Sequence, residues 1–203
     1  MPQLGPFRDY NEHDVLNVFA VSGYTADTTT ILPRGTLVKL AGKGFKLDEP
    51  NYIEYLGNPS AFTPTNVVSQ RYGAIPKVVP TTTGTEFPVG MTLFDIRETD
   101  ENGELLKFRP RKAAELEAVI SGQACPLVRK GLFAYSGITT GIGQTAVTGA
   151  GQITAGTLLY PGAGALSSWA VTGQGGYQTH NKIGIALGDT DSRGYTVVFL
   201  NIV

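Results

Sequence analysis

Short apolar runs with a period of two, separated by Gly, Pro, Thr and Asp, dominate this chain and predict strands. Val15 to Val21 (VLNVFAV) is β-branched and aromatic and reads as the first strand. In ILPRGTLVKLAGKG, a Pro-Arg-Gly turn precedes a strand at Thr36–Leu40. Similar units occur at FPVGMTLFDI, residues 87–96, and at ITAGTLLYPGAG, residues 153–164. Their glycines, Gly35, Gly90 and Gly156, lie at unequal intervals, which fits a recurring turn-then-strand habit of a β-barrel and not a solenoid repeat of fixed period. Lys182–Leu187 is apolar on alternate positions. GDTDSRG follows as a hairpin loop, and Tyr195–Val203 is apolar on both faces. A strand with no polar face must be covered twice: by the core, and by a helix or a neighbouring protomer.

Two segments break the strand pattern. Asp100-Glu101-Asn102-Gly103 lies between MTLFDIRE and ELLKFRP and is a hairpin signal. RPRKAAELEAVISGQACP predicts one helix of about three turns, with Pro110 at its start and Ala113, Leu116, Val119 and Ile120 as its apolar stripe. Prolines 50, 59, 64, 76, 80 and 88 confine the region between the first two units to edge strands and loops. Residues 1–14 are polar with isolated aromatics and read as an extended N-terminal arm. The expected organisation is that arm, a β-rich region with hairpin and helix over 15–126, and a β-barrel region over 127–203 closing with a hairpin. The fold class is mainly β: a β-barrel or β-tulip-like body with one short helix and the arm.

Composition sharpens the picture at one point. Charged residues are 16% of the chain, against about 25% in ordinary soluble domains. From Gly131 to Asn181 there is no Lys, Arg, Asp or Glu, which suggests a surface packed against a partner. Net charge is −1 without a basic run, so neither a nucleic-acid footprint nor a polybasic membrane patch is expected. The single cysteine excludes an internal disulfide, MPQLGPFRDYNEHD has no apolar signal core, and no apolar run reaches the ~18 residues of a membrane helix.

Candidate chemistry is sparse. His13 and His180 lack partners at ligand spacing, and Cys125 beside Pro126 has no base in sequence context, so both histidines read as surface residues and the thiol as packed. Gly141-Ile-Gly143-Gln-Thr-Ala146 has the letters of a dinucleotide loop, but VTGAGQIT cannot start the helix that loop needs. Glu98, Asp100, Glu101 and Glu104 lack calcium-loop spacing and read as a solvated hairpin tip, with Arg97, Arg109, Arg111 and Lys112 available to pair with it. Asp189, Asp191 and Arg193 read as turn residues. No catalytic residues, metal or cofactor are expected.

The units PRGTLVKL and AGTLLYP, and above all the segment IGIALGDTDSRGYTVVFLNIV, resemble the capsid decoration, or cement, proteins of tailed bacteriophages. In that family a G-I-A-L segment precedes a short polar loop and a closing apolar strand. The resemblance covers residues 15–60 and 127–203, and its motifs are loose. It implies a non-enzymatic structural virion protein on the capsid exterior, made in the host cytoplasm. Such a protein stiffens the head, usually as a homotrimer, with the major capsid protein and further copies of itself as partners. Phe7, Tyr10, Val15, Leu16 and Phe19 are the expected capsid or neighbour contacts, and Trp169, Tyr195, Val197 and Phe199 the expected protomer contacts. The alternatives are a tail-tube or fibre module and a carbohydrate-binding β-sandwich.

Overall fold

The computed structural model describes residues 3–7, 11–21, 31–41, 77–120, 123–140, 151–168 and 182–202. The β-branched run at Val15–Val21 forms strand β2, and the chain is mainly β, as the alternation predicts. β2 joins β3 (Leu37–Leu40), β4 (Lys77–Pro80), β5 (Gly90–Thr92) and β8 (Ala124–Val128) in a closed barrel of order β2-β4-β3-β5-β8. Its interior is filled by Phe19, Val21, Val38, Val78, Cys125 and Leu127, all nearly free of water contact. A second sheet has the order β1-β9-β13-β12-β10-β11. Its strands are β1 (Gln3–Pro6), β9 (Lys130–Ser136), β10 (Leu158–Pro161), β11 (Leu166–Ser167), β12 (Gly184–Ala186) and β13 (Tyr195–Asn201).

The two sheets repeat one design. In the barrel, β3 meets β5 with Leu37 opposite Met91 and Val38 opposite Gly90; in the second sheet, β10 meets β12 with Leu158 opposite Ile185 and Leu159 opposite Gly184. β5 meets β8 at Met91–Val128 and Thr92–Leu127, as β12 meets β13 at Ile185–Phe199 and Ala186–Val198. β8 meets β2 at Val128–Val15 and Leu127–Leu16, as β13 meets β9 at Phe199–Leu132 and Val198–Phe133. The barrel closes through the parallel pairing of Ala20 and Val21 with Lys77 and Val78. A single parallel bridge between Thr139 and Ser167 stands at the equivalent place beside the second sheet. β2, β3, β4, β5 and β8 therefore correspond in order to β9, β10, β11, β12 and β13.

The turns match atom for atom. In Pro33-Arg-Gly-Thr36 the Arg34 N–H donates to Asp95 Oδ1 (2.7 Å), the Gly35 N–H to the Thr92 carbonyl (2.7 Å), and the Thr36 hydroxyl to the Pro33 carbonyl (2.7 Å). In Thr154-Ala-Gly-Thr157 the Ala155 N–H donates to Asp189 Oδ1 (2.8 Å), the Gly156 N–H to the Ala186 carbonyl (2.8 Å), and the Thr157 hydroxyl to the Thr154 carbonyl (2.7 Å). Gly35 and Gly156 both have positive φ, +85° and +88°, which a side chain would oppose. The sequence trace of this design is GMTLFD at 90–95 against GIALGD at 184–189. The three-unit reading is therefore corrected. Units one and three are equivalent turns, whereas Gly90 lies inside a strand and corresponds to Gly184.

The halves pack by their outer and inner sides. Leu37, Met91, Leu93 and Val128 point out of the barrel and enter the core beneath the second sheet, with Leu4, Phe133, Tyr135, Leu159, Val198 and Leu200. Leu4 and Tyr135 lie so close to Gly35 that a Cβ there would meet both at 3.1 Å.

The predicted three-turn helix is shorter. Helix α1 spans Pro110–Glu115, Glu117 turns the chain with a φ of 47°, and Ala118–Val119 becomes strand β7, parallel to β6 (Asp95–Ile96). Burying Val119 beside Ile96 in the barrel core wins over continuing the helix, and the helix keeps only Leu106, Ala113 and Ile120 as its small core. The helix packs on the 3-10 turn Leu106–Phe108 and on β7, so it is not what covers the outer side of β13. The Asp100–Gly103 turn is present, closed by a single Thr99–Leu105 bridge.

Candidate assembly surface

The described polar groups are largely committed to the fold. The Asp100 carboxylate, expected at a solvated tip, is buried; it accepts the N–H groups of Asn102 and Glu104 (both 2.8 Å) and pairs with Lys112. The Lys112 ammonium, helped by those amides, outweighs desolvation and brings the Asp100 carboxyl down to about 2. Burial pushes the Glu86 carboxyl up, but Lys39 and the amides and hydroxyl of Thr82 and Thr83 overcome it and leave it at about 2. Arg109 pairs with Glu104 (2.9 Å), and Arg34 with Glu117. Asp191 accepts the N–H groups of Arg193 and Tyr195 (both 2.8 Å), an Asx turn. Cys125 lies inside the barrel, where burial raises its thiol to about 12, so it is not a thiolate nucleophile. Among the described residues no group of three or more His, Cys, Asp or Glu side chains is placed to hold a metal ion.

What remains is the outer side of the second sheet. Alternation sends Thr196, Val198 and Leu200 of β13 inward, and leaves Tyr195, Val197 and Phe199 half-buried on the outside. The cross-strand register lines their neighbours into rows. One row runs Phe7, Leu132, Phe199, Ile185, Leu158, with the Phe7 N–H on the Leu132 carbonyl (3.1 Å). A second runs Gly5, Ala134, Val197 and Leu187, whose N–H donates to the Val197 carbonyl (2.7 Å). Polar rows bound these on both sides: Gln3, Ser136 and Tyr195 at one end, where the Tyr195 hydroxyl donates to Gln3, and Lys130 with Asn201 at the other. Phe7 is 62% exposed, Leu187 50% and Leu158 39%. Among the described residues, the centre of this face carries no charged side chain.

The structure distributes the sequence-predicted contacts over three settings. Phe7, Tyr195, Val197 and Phe199 come together on the outer face. Val15 and Leu16 are partly buried in β2, packed on the two cores. Phe19 is 6% exposed and fills the barrel interior, so the assignment of Phe19 as a partner anchor is corrected: it holds the chain's own barrel together. Tyr10 and Trp169 lie outside the described residues, as do His180 and residues 141–146. The expected arm also docks at home, since Gln3–Pro6 pairs antiparallel with β9 and Leu4 is buried. Sequence reasoning missed Leu132, Leu158, Ile185 and Leu187. The signal available for them was the alternation around the charge-free stretch, once Leu159, Phe133 and Ala186 are assigned inward.

Comparison with protein-family models, curated proteins and solved structures finds no match to this chain.

Proposed function

We propose that this chain is a structural virion protein that binds the outer surface of a phage head and stabilises it as a homo-oligomer, a trimer in the family it resembles. The observation that carries this reading is the uncharged outer face of the second sheet, from Phe7 across Phe199 to Leu158. A broad apolar face bounded by polar rows has the anatomy of an assembly surface. Symmetric closure of several copies covers such a face without open-ended growth. Copies held together on a repeating lattice of major capsid protein then gain avidity of roughly 10²–10⁴ over one contact. The short motifs PRGTLVKL and IGIALGDTDSRG support the same reading by resemblance.

The test is co-sedimentation of the purified chain with phage heads lacking decoration, followed by heating of the decorated and bare heads. Saturable binding and a higher temperature of genome release are expected. Absence of binding to heads, with the chain folded, overturns the proposal. Truncating residues 1–14 is a poor probe, because it removes β1 from the chain's own sheet; substituting exposed Phe7 is the cleaner one.

A further inference from the structure

The turn before α1 contains the single Asn-Gly pair of the sequence, Asn102-Gly103. Both residues are exposed, at the tip of the turn that the Thr99–Leu105 bridge closes. The tip is held less firmly than its flanks. Asp100 Oδ1 accepts the N–H groups of Asn102 and Glu104, both at 2.8 Å, and the Asp100 N–H donates to the Glu104 carbonyl at 2.9 Å. The Gly103 N–H has only the Asp100 carbonyl at 3.3 Å, longer than an ordinary hydrogen bond. Among the described residues nothing holds the Asn102 carboxamide. Gly103 has a φ of +82° and open space where a Cβ would stand, so no side chain screens its nitrogen. Other described asparagines differ. The Asn11 carboxamide accepts the His13 N–H (3.0 Å), and Asn17 and Asn201 lie in strands ahead of the branched Val18 and Ile202.

We infer that Asn102-Gly103 is a site of spontaneous covalent modification, at which the chain itself converts Asn102 through a succinimide into isoaspartate or aspartate and thereby loosens the Asp100 turn. The Gly103 amide nitrogen attacks Asn102 Cγ. A ring N–C bond forms, the bond from Cγ to the side-chain nitrogen breaks, and ammonia leaves with the proton that Gly103 gives up. Water then opens the ring at either carbonyl. Opening at the main-chain carbonyl leaves Gly103 joined through Cγ, which is isoaspartate; opening at Cγ leaves ordinary aspartate. Either product carries one more negative charge than the starting chain. The consequence follows from the position. Isoaspartate lengthens the main chain by one carbon between the amides of residues 102 and 104, which share the single oxygen Asp100 Oδ1. The Asp100 side chain is fully buried, so water does not replace a lost donor. The new carboxylate also joins Asp100, Glu101 and Glu104 in one turn and competes for Lys112, the ion pair that ties α1 to it. The site belongs to the insertion between β6 and α1 and not to the outer face of the second sheet, so it stands or falls separately from the proposed function.

The experiment holds the purified full chain in warm, mildly alkaline buffer, folded and, in parallel, unfolded in urea. Samples are followed by peptide mapping in a mass spectrometer and by an isoaspartate-specific methylation assay. The expected result is a gain of about 1 Da at Asn102 with isoaspartate among the products. In the folded chain the rate should stay within about tenfold of the unfolded one, since the exposed tip offers little protection. Gly103→Ala should slow the conversion by about tenfold or more, because a Cβ then crowds the attacking nitrogen. Asn102→Gln should abolish it, and this variant keeps the glycine turn, so the test stands even where Gly103→Ala fails to fold. An Asn102 that survives in the folded chain while it converts in urea overturns the site, as does earlier conversion at another asparagine. The aged fraction, separated by its extra charge, should unfold at a lower temperature than fresh protein, whereas Asn102→Gln aged alongside keeps its midpoint. An aged fraction with the fresh midpoint overturns the loosening of the Asp100 turn.

Discussion

Single residues carry the two-fold repeat of this molecule through contacts that leave no room. A Cβ on Gly184 would lie 2.7 Å from the Phe199 carbonyl oxygen, and one on Gly90 would lie 3.1 Å from the equivalent carbonyl of Val128. Both obstacles are backbone of a neighbouring strand and cannot swing aside. Gly184→Ala is therefore expected to destabilise by about 1–3 kcal/mol in denaturant titration, while Gly188→Ala, with open space around it, stays within about 0.5 kcal/mol of wild type. The turn carboxylates give a matched pair of a different kind. Asp95, half-buried, holds the Arg34 N–H, and Asp189, exposed, holds the Ala155 N–H. Removing a charged acceptor leaves its donor to find water, which costs more where water is scarce. Asp95→Ala should lower stability by about 1–3 kcal/mol and Asp189→Ala by no more than about 1 kcal/mol, read as a shift in unfolding midpoint.

At the scale of elements, the turn before α1 and the loop before β5 are each organised by one acidic group. Asp100 gathers two amides and Lys112, and Glu86 gathers Thr82, Thr83 and Lys39. Both carboxyls sit near 2 in the folded chain, below ordinary values of 3.8 and 4.5. A depressed carboxylate binds its proton less readily when folded than when unfolded. Its stabilising effect is full above the ordinary value and is lost as the pH falls from about 4.5 to about 2. The thermal midpoint should hold steady from pH 7 to 5 and drop across that window. Asp100→Asn should have a lower midpoint at pH 7 and a shallower drop; a drop of unchanged size would remove Asp100 from the acid response. Elements also show where sequence reading met its limit. The apolar stripe Ala113, Leu116, Val119, Ile120 is helical in spacing, yet Val119 is claimed by the barrel core across a left-handed Glu117. Spacing reports a local preference, and a β-branched residue beside a forming core has a stronger non-local one.

The described residues form two versions of one five-stranded design, one a closed barrel with its outer side sealed and the other a sheet whose outer side is open among the described residues. Among the described residues, the insertions between β5 and β8, including α1, sit in the first, and the added edge strand β1 in the second. Docking of one half's outer residues into the other's core explains why Leu37 and Val38, neighbours in sequence, are both fully buried.

The amino-acid sequence determined the β character, the approximate strand positions, the GDTDSRG turn and the charge-free stretch that supplies part of the open face, because these follow from alternation, turn chemistry and composition within a few residues. Only the tertiary structure decided that GMTLFD is the counterpart of GIALGD and that Phe19 faces inward. It alone showed that Gln3–Pro6 pairs with β9 and that the outer side of β13 is left open by the helix. The physical reason is that registers between strands far apart in the chain, and the choice of which apolar side is covered first, are settled by non-local hydrogen bonds and packing.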